Sequence, residues 1–233
     1  ALDFANPRCY ISGSATAYDI SAPTATYGIY SCSYDPSNGG SLGTLGLGDY
    51  ISMAANYAFW GYGGPSLYQP LANSFTMEVW VKPKSTVTAI IESTSGVDGY
   101  PSGQRWVVAP INQGADGGAG ISCGTNAINV CEHGSGYLPA LLAYTGSISS
   151  TNFSHIVVTY TNKQPTLYLN GVWARTGLTS LKTNVWASIG GLIGSYAYGS
   201  FTGSISIVKM YNRPLSATEV AQNFNAVRSR FGI

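Results

Sequence analysis

Alternation dominates the chain. In "SFTMEVWVKP" (Ser74 to Pro83), Phe75, Met77, Val79 and Val81 fall on one face and Thr76, Glu78 and Trp80 on the other. This is the period of a half-buried strand. "SHIVVTYTNKQPTLYLNG" gives two alternating runs around a polar turn containing Asn162 and Pro165, the pattern of a hairpin. "TAIIES", "QRWVVAPI" and "PALLAY" each predict a strand, and "ISCGTNAINVCEH" predicts a hairpin turning at Thr125-Asn126. "WASIGGLIGS" is broken by glycines, and residues 13–48 and 54–73 show weak periodicity and read as long loops with short strands.

The period changes once. "FTGSISIVKMYNRPLSATEV" (Phe201 to Val220) starts extended, with Ile205, Ile207 and Tyr211 expected on one face and Ser204, Ser206, Val208 and Met210 on the other. Pro214 stops the strand because it has no N–H to donate. Ser216 and Glu219 have capping-box spacing, and Val220, Phe224, Val227 and Phe231 recur at helical spacing. Gly232 suits a C-cap. The prediction is a run of strands closed by one amphipathic helix. That pattern means a β-sandwich or jelly roll.

Composition narrows the partners. Only 9% of 233 residues are charged and the formal net charge is +1, so there is no basic stripe for nucleic acid. No apolar run is long enough for membrane insertion. With 29 Gly and 17 Tyr, the chain has the palette of β-structure with polar loops, found often outside cells or on particle surfaces. The even count of four cysteines favours disulfides and an oxidising compartment. Cys9–Cys32 is the expected bridge, whereas a turn at Thr125-Asn126 puts Cys123 and Cys131 on opposite faces.

In this order, "SFTMEVWVKP", "HIVVTYTNKQPTLYLNG", "IGG" and "FTGSISIVKMYNRPLSATEV" resemble the laminin-G-like, concanavalin A-like lectin-glucanase family from roughly residue 74 to 233. The resemblance implies an all-β jelly-roll sandwich of two antiparallel sheets with a short C-terminal helix. Residues 1–233 would form one such domain, with a Tyr- and Gly-rich insertion around 13–73. It also implies a closing strand that returns beside an N-terminal one such as "ALDF" or "DYISM", and a structural role for His155. Many members hold calcium through an acidic residue directly after "F-x-G-x-I" of the closing strand. Here that position is Ser206, which weakens the site; Asp3, Asp49, Asp98 and Asp116 are the remaining candidate oxygens, and calcium is the one cofactor in view.

Related glucanases carry three acidic residues at alternate positions of one strand. This chain has no such strand: Glu78 stands alone, so the chain is not expected to be an enzyme. The positive signal is a set of loop aromatics: Trp60, Tyr62, Tyr68, Tyr100, Trp106, Tyr137, Tyr196 and Tyr198. Flat rings beside polar side chains suit the apolar faces and hydroxyl rims of sugars. Two loops, "GVDGYPSGQRW" and "EHGSGYLP", combine glycines, aromatics and charge, giving Asp98, Tyr100, Arg105, Trp106, His133 and Tyr137 as candidate ligand contacts. The expected function is a non-catalytic, lectin-like carbohydrate-binding or adhesion module, extracellular or on a particle surface, with glycans or surface glycoconjugates as partners. The alternative is a structural component of a virion surface or extracellular array, using the same fold for protein assembly contacts.

Overall fold

Strands with two different faces need cover on both, and the chain supplies it with a second sheet on one side and a helix on the other. The computed structural model describes residues 1–21, 26–37, 40–44, 50–53, 71–100, 103–188, 195–196 and 198–233. The N-terminal strands are β1 (Leu2–Asp3), β2 (Thr16–Tyr18), β3 (Thr26–Tyr30), β4 (Ser33–Asp35), β5 (Ser41–Thr44) and β6 (Tyr50–Met53). The central ones are β7 (Phe75–Pro83), β8 (Trp106–Val108), β9 (Gly117–Cys123), β10 (Ala127–His133), β11 (Ala140–Thr145), β12 (Ser154–Thr161), β13 (Gln164–Leu169) and β14 (Val172–Thr176). β15 (Val185–Ala187), β16 (Ser195–Tyr196), β17 (Gly199–Ser200), β18 (Gly203–Tyr211) and helix α1 (Ala217–Val227) complete the order.

Sheet A runs β14-β13-β12-β7-β18-β5-β4, with β1 also on β18. Sheet B runs β11-β10-β9-β15, with β8 on β9. Its pairs are antiparallel except β15 on β9. β2, β3 and β6 make a three-stranded ribbon. The main core lies between the sheets, where Phe75, Met77, Val79 and Val81 of β7 meet Ile121, Ile128 and Val130 of sheet B. This is the all-β concanavalin A-like sandwich with a short C-terminal helix that the sequence pattern and the resemblance led us to expect. "TAIIES" is not a strand; it makes one bridge, Glu92 to Ala140, because Glu92 turns its carboxylate to Arg175 and to the Ala143 amide.

The outer face of sheet A is covered by the C-terminus. Trp80, Phe153, Ile207 and Phe231 form a separate cluster, with Phe224 and Val227 against it. Ser216 and Glu219 form the capping box in full. The stripe ends one turn beyond α1, since Phe231 sits in a 3-10 turn (Arg228–Phe231) closed by Gly232 at φ 69°. α1 approaches closely at the β13–β14 turn, where a Cβ on Gly171 would lie 3.0 Å from that of Phe224.

Two expectations are corrected. The closing strand does return beside "ALDF", pairing Leu2 with Val208 and Asp3 with Ile207, but simple alternation fails within it. A bulge lies between Ile205 and Ile207, so Ile205 enters the main core while Ile207 points to the helix side. One extra residue, Ser206, inverts the face of everything after it. Second, all four cysteines are free thiols, so the Cys9–Cys32 bridge is not present. The Cys9 sulfur accepts the Asp3 amide at 3.3 Å, while the Cys32 thiol donates to the Tyr30 carbonyl at 3.4 Å. Cys123 faces the main core and Cys131 the outer side of sheet B, as the hairpin parity requires.

Candidate functional site

On β10 the residues facing away from the core are Asn129, Cys131 and His133. Opposite them on β9 lie Ser122, Gly120 and Gly118. The glycines leave room for the segment after β8 to cross: a Cβ on Gly120 would sit 2.6 Å from the Val108 carbonyl. A loop between β7 and β8 covers the other end, held by side-chain amides. Gln104 donates to the Thr88 carbonyl at 2.9 Å, and Asn129 donates to both that carbonyl and Gln104 Oε1, each at 2.9 Å.

Where the loops end, three rings meet. Tyr100 and Tyr198 pack edge to face with centroids 4.6 Å apart, and His133 lies edge-on to both. His133 Nδ1 donates to the Pro110 carbonyl at 3.2 Å, because a carbonyl can only accept. Nε2 is then the acceptor for the Tyr100 hydroxyl, also at 3.2 Å. Burial lowers the His133 pKa, so this tautomer is the neutral ring, and burial raises that of Tyr100, with Tyr198 adding to it. The result is a neutral aromatic cluster whose two tyrosines are half-exposed over a buried imidazole.

The six candidate residues divide. Tyr100 and His133 are in contact. Asp98 is exposed on the same loop as Tyr100, close enough that, after burial and the Glu132 charge, it raises the Cys131 thiol. Trp106 lies fully buried beneath, against Cys131 and Leu138, with Tyr100 and Tyr198 on its cluster. Arg105 is half-buried and donates to the Gln104 carbonyl at 3.1 Å. Tyr137 turns inward: its hydroxyl lies 3.4 Å from Glu132 Oε2 and the Lys182 ammonium sits 4.2 Å from its ring centroid. Tyr198, which stood only in the broad aromatic set, joins Tyr100. Trp60, Tyr62, Tyr68 and Asp49 lie outside the described residues.

Two polar features were not legible as partners. Trp106 and Asn129 sit on one cross-strand row, either side of Ser122. Trp106 Nε1 and Asn129 Oδ1 are both buried without a protein partner. Glu132, on the core side of β10, is fully buried and accepts from Ser180 at 2.5 Å. Burial pushes its carboxyl up to about 7 against the opposing pull of the Ser180, Tyr160 and Tyr137 hydroxyls.

Glu78 has a different setting. It is fully buried under α1, 3.4 Å from His155 Nε2, 3.2 Å from Lys209 Nζ and 2.8 Å from both the Tyr211 hydroxyl and Asn223 Nδ2. Burial alone would raise it, but His155 and Lys209 outweigh that and hold it at about 2. Glu78 and His155 therefore tie the helix to the sheet, the structural role expected of His155.

The calcium expectation is tested at Ser206. Its hydroxyl does point at the Gly40 carbonyl near Asp3, but the Arg230 guanidinium lies among these oxygens, 2.8 Å from Asp3 Oδ1, 2.6 Å from Ser206 Oγ and 3.1 Å from the Gly40 carbonyl. A positive group in that place does not fit a metal ion. Asp116 is engaged by Asn184 and by Trp186 Nε1 at 3.1 Å. Among the described residues no three His, Cys, Asp or Glu side chains converge.

A sandwich with loop-borne rings over one sheet and a helix over the other defines a β-sandwich of the lectin and glucanase type. The sequence matches the concanavalin A-like lectin/glucanases superfamily over residues 64–221, and the chain belongs to that superfamily. A comparison with curated protein sequences gave no match. Among solved structures, the binding domain of botulinum neurotoxin serotype G is similar at 15% identity and TM-score 0.59, over 87% of this chain and 46% of that one. The binding domain of Paraclostridial Mosquitocidal Protein 1 is similar at 16% and 0.58, over 91% and 50%. Trypanosoma rangeli sialidase is similar at 16% and 0.61, over 97% and 33%. At these identities the likeness is one of fold, and the chain spans a third to a half of the length of those structures.

Proposed function

We propose that the chain is a non-catalytic carbohydrate-binding module working outside cells or on a particle surface, with its sugar contact at Tyr100, Tyr198 and Asp98. The observation that carries this reading is the Tyr100–His133–Tyr198 cluster. Its tyrosines are fixed from below by a neutral imidazole and half-exposed above, and an exposed carboxylate lies on the same loop. Fixed rings offer stacking area at low entropic cost, and Asp98 can accept from hydroxyls. The unpartnered Asn129 Oδ1 and Trp106 Nε1 add an acceptor and a donor beneath the same loops. Buried groups of this kind cost about 1–3 kcal/mol each until a water or ligand hydroxyl reaches them. Fold relatives agree with a binding role in kind: one structure is a botulinum neurotoxin DC binding domain in complex with SialylT, another is that domain with rat synaptotagmin II. Glu78, bonded on all sides under the helix, offers no free carboxylate for glycoside hydrolysis.

A protein-assembly role is the second reading, favoured by edge strand β14, which exposes Val172 and Trp173. Glycan-array binding compared between the parent, Tyr100→Ala and Tyr198→Ala decides between them. The expected result is a binding loss of at least ~1 kcal/mol for each variant, read at a temperature where both are folded, with Tyr100→Ala also melting lower because it takes away the hydroxyl that bonds His133 Nε2. Equal binding by all three places the contact elsewhere. Absence of any glycan signal together with ordered self-association lost in Trp173→Ala establishes the second reading.

A further inference from the structure

Three oxygens of different chemical kinds converge near the start of the chain: the Asp3 carboxylate on β1, the Gly40 carbonyl and the Ser206 hydroxyl in the bulge of β18. Each is built into place. Asp3 is held by pairing of β1 with β18, and the Phe4 amide bonds the Ser206 carbonyl at 3.0 Å. Gly40 has φ 124°, and a Cβ there would lie 2.6 Å from the Phe4 carbonyl, so only glycine presents its carbonyl here. The bulge turns Ser206 toward Gly40, which it meets at 2.7 Å. A carboxylate, a carbonyl and a hydroxyl grouped around one guanidinium are the donor types that suit a hard cation. What stands there is a guanidinium, carried by the last turn of the chain and anchored by the packing of Phe231 on Trp80.

We propose that Arg230 is the resident cation of this cage, so that the domain is metal-independent and removal of the arginine uncovers a latent site for a hard divalent ion such as calcium. Charge and geometry both support this. The guanidinium places separate N–H groups on Asp3 and on the Ser206–Gly40 pair, neutralising the carboxylate and satisfying the carbonyl. It also joins the two ends of the sequence, so the helix side of sheet A is fastened by the contact that a bound ion would otherwise make. With three protein oxygens and water completing the shell, the uncovered site belongs to the weak class, with a dissociation constant of about 1 mM.

The test is thermal melting of the parent, Arg230→Ala and Asp3→Asn/Arg230→Ala, each in EGTA and in about 5 mM calcium chloride, where a ~1 mM site gives a measurable shift. The parent is expected to melt at one temperature in both. Arg230→Ala should melt lower in EGTA and regain about 2–4 °C in calcium, and the double variant should regain nothing. If Arg230→Ala does not fold, Arg230→Met keeps the side-chain stem beside Phe231 and is read in the same way. A parent destabilised by EGTA overturns the proposal, as does a calcium shift equal in parent and variants. Failure of both single variants to fold in calcium, or no calcium response in either, overturns it too.

Discussion

Glu132 makes the stability of the domain depend on pH in an unusual direction. Its carboxyl is raised from an ordinary 4.5 to about 7 by burial on the core side of β10, so the native state holds its proton longer than the unfolded chain. The stabilisation is complete below pH 4.5, declines as pH rises toward 7, and is gone above it. At roughly 1.4 kcal/mol per pH unit, the full effect is ~3 kcal/mol, a large fraction of a domain's net stability. Glu78 works the other way: held at about 2, it stabilises above pH 4.5 and is lost as pH falls toward 2. The two together place the maximum near pH 4.5. His133, lowered by burial, opposes Glu132 by losing stability as pH falls below its ordinary 6.5, so the parent profile alone is a composite. The groups facing Glu132 are Ser180, Tyr137 and Tyr160, with the Lys163 charge near enough to lower its pKa. Glu132→Gln isolates the carboxyl. The amide keeps an acceptor for Ser180, and its NH2 can donate to the buried Tyr160 hydroxyl. Urea unfolding of parent and variant from pH 4.5 to 8 is the assay. The variant should gain on the parent across this range by a total of ~3 kcal/mol, most of it between pH 5 and 7. A difference that stays constant over that range would refute the reasoning.

Two further outcomes follow from the packing. Phe231→Ala removes a nearly buried ring 4.7 Å from Trp80 and 4.5 Å from Phe153, and should cost ~3–5 kcal/mol by calorimetry or denaturant; a melting temperature equal to the parent's would show the last turn is not part of the fold. Unfolded without reductant, the protein should titrate four thiols, while in the native state half-buried Cys32 reacts first and Cys123 and Cys131 stay silent, being buried with their pKa values raised; fewer than four thiols in denaturant would restore the disulfide.

The elements that the sequence made plain are those where one local rule decides the outcome. Period two located β7, β12 and β13, and the Ser216–Glu219 spacing located the start of α1. The β18 faces were misread because a bulge leaves no mark in an alternating run; Ser206 looks like any polar residue between two isoleucines. The cysteine count suggested a bridge, but pairing is a matter of where two sulfurs point, and Cys9 and Cys32 each found a backbone partner. At the candidate site, glycine and aromatic content marked two loops whose residues Tyr100 and His133 the structure brings into contact. It could not separate Tyr100, on the β7–β8 loop beside His133, from Tyr137, on the β10–β11 connection and turned toward Glu132, because that depends on how each loop folds back over sheet B.

The position of β18 has a consequence for biogenesis. It lies between β7 and the β5 and β1 strands, with neighbours made more than a hundred residues earlier. Until it emerges from the ribosome, sheet A is three separate pieces, β14-β13-β12-β7, β5-β4 and β1, with unpaired edges, and the outer face of β7 has neither Ile207 nor Phe231 to cover it. Closure is therefore a late and long-range event, of the kind that folds slowly and exposes sticky edges meanwhile. The nascent chain must be kept from pairing with its neighbours through those edges. A chaperone requirement should show itself in the window between synthesis of β7 and synthesis of β18.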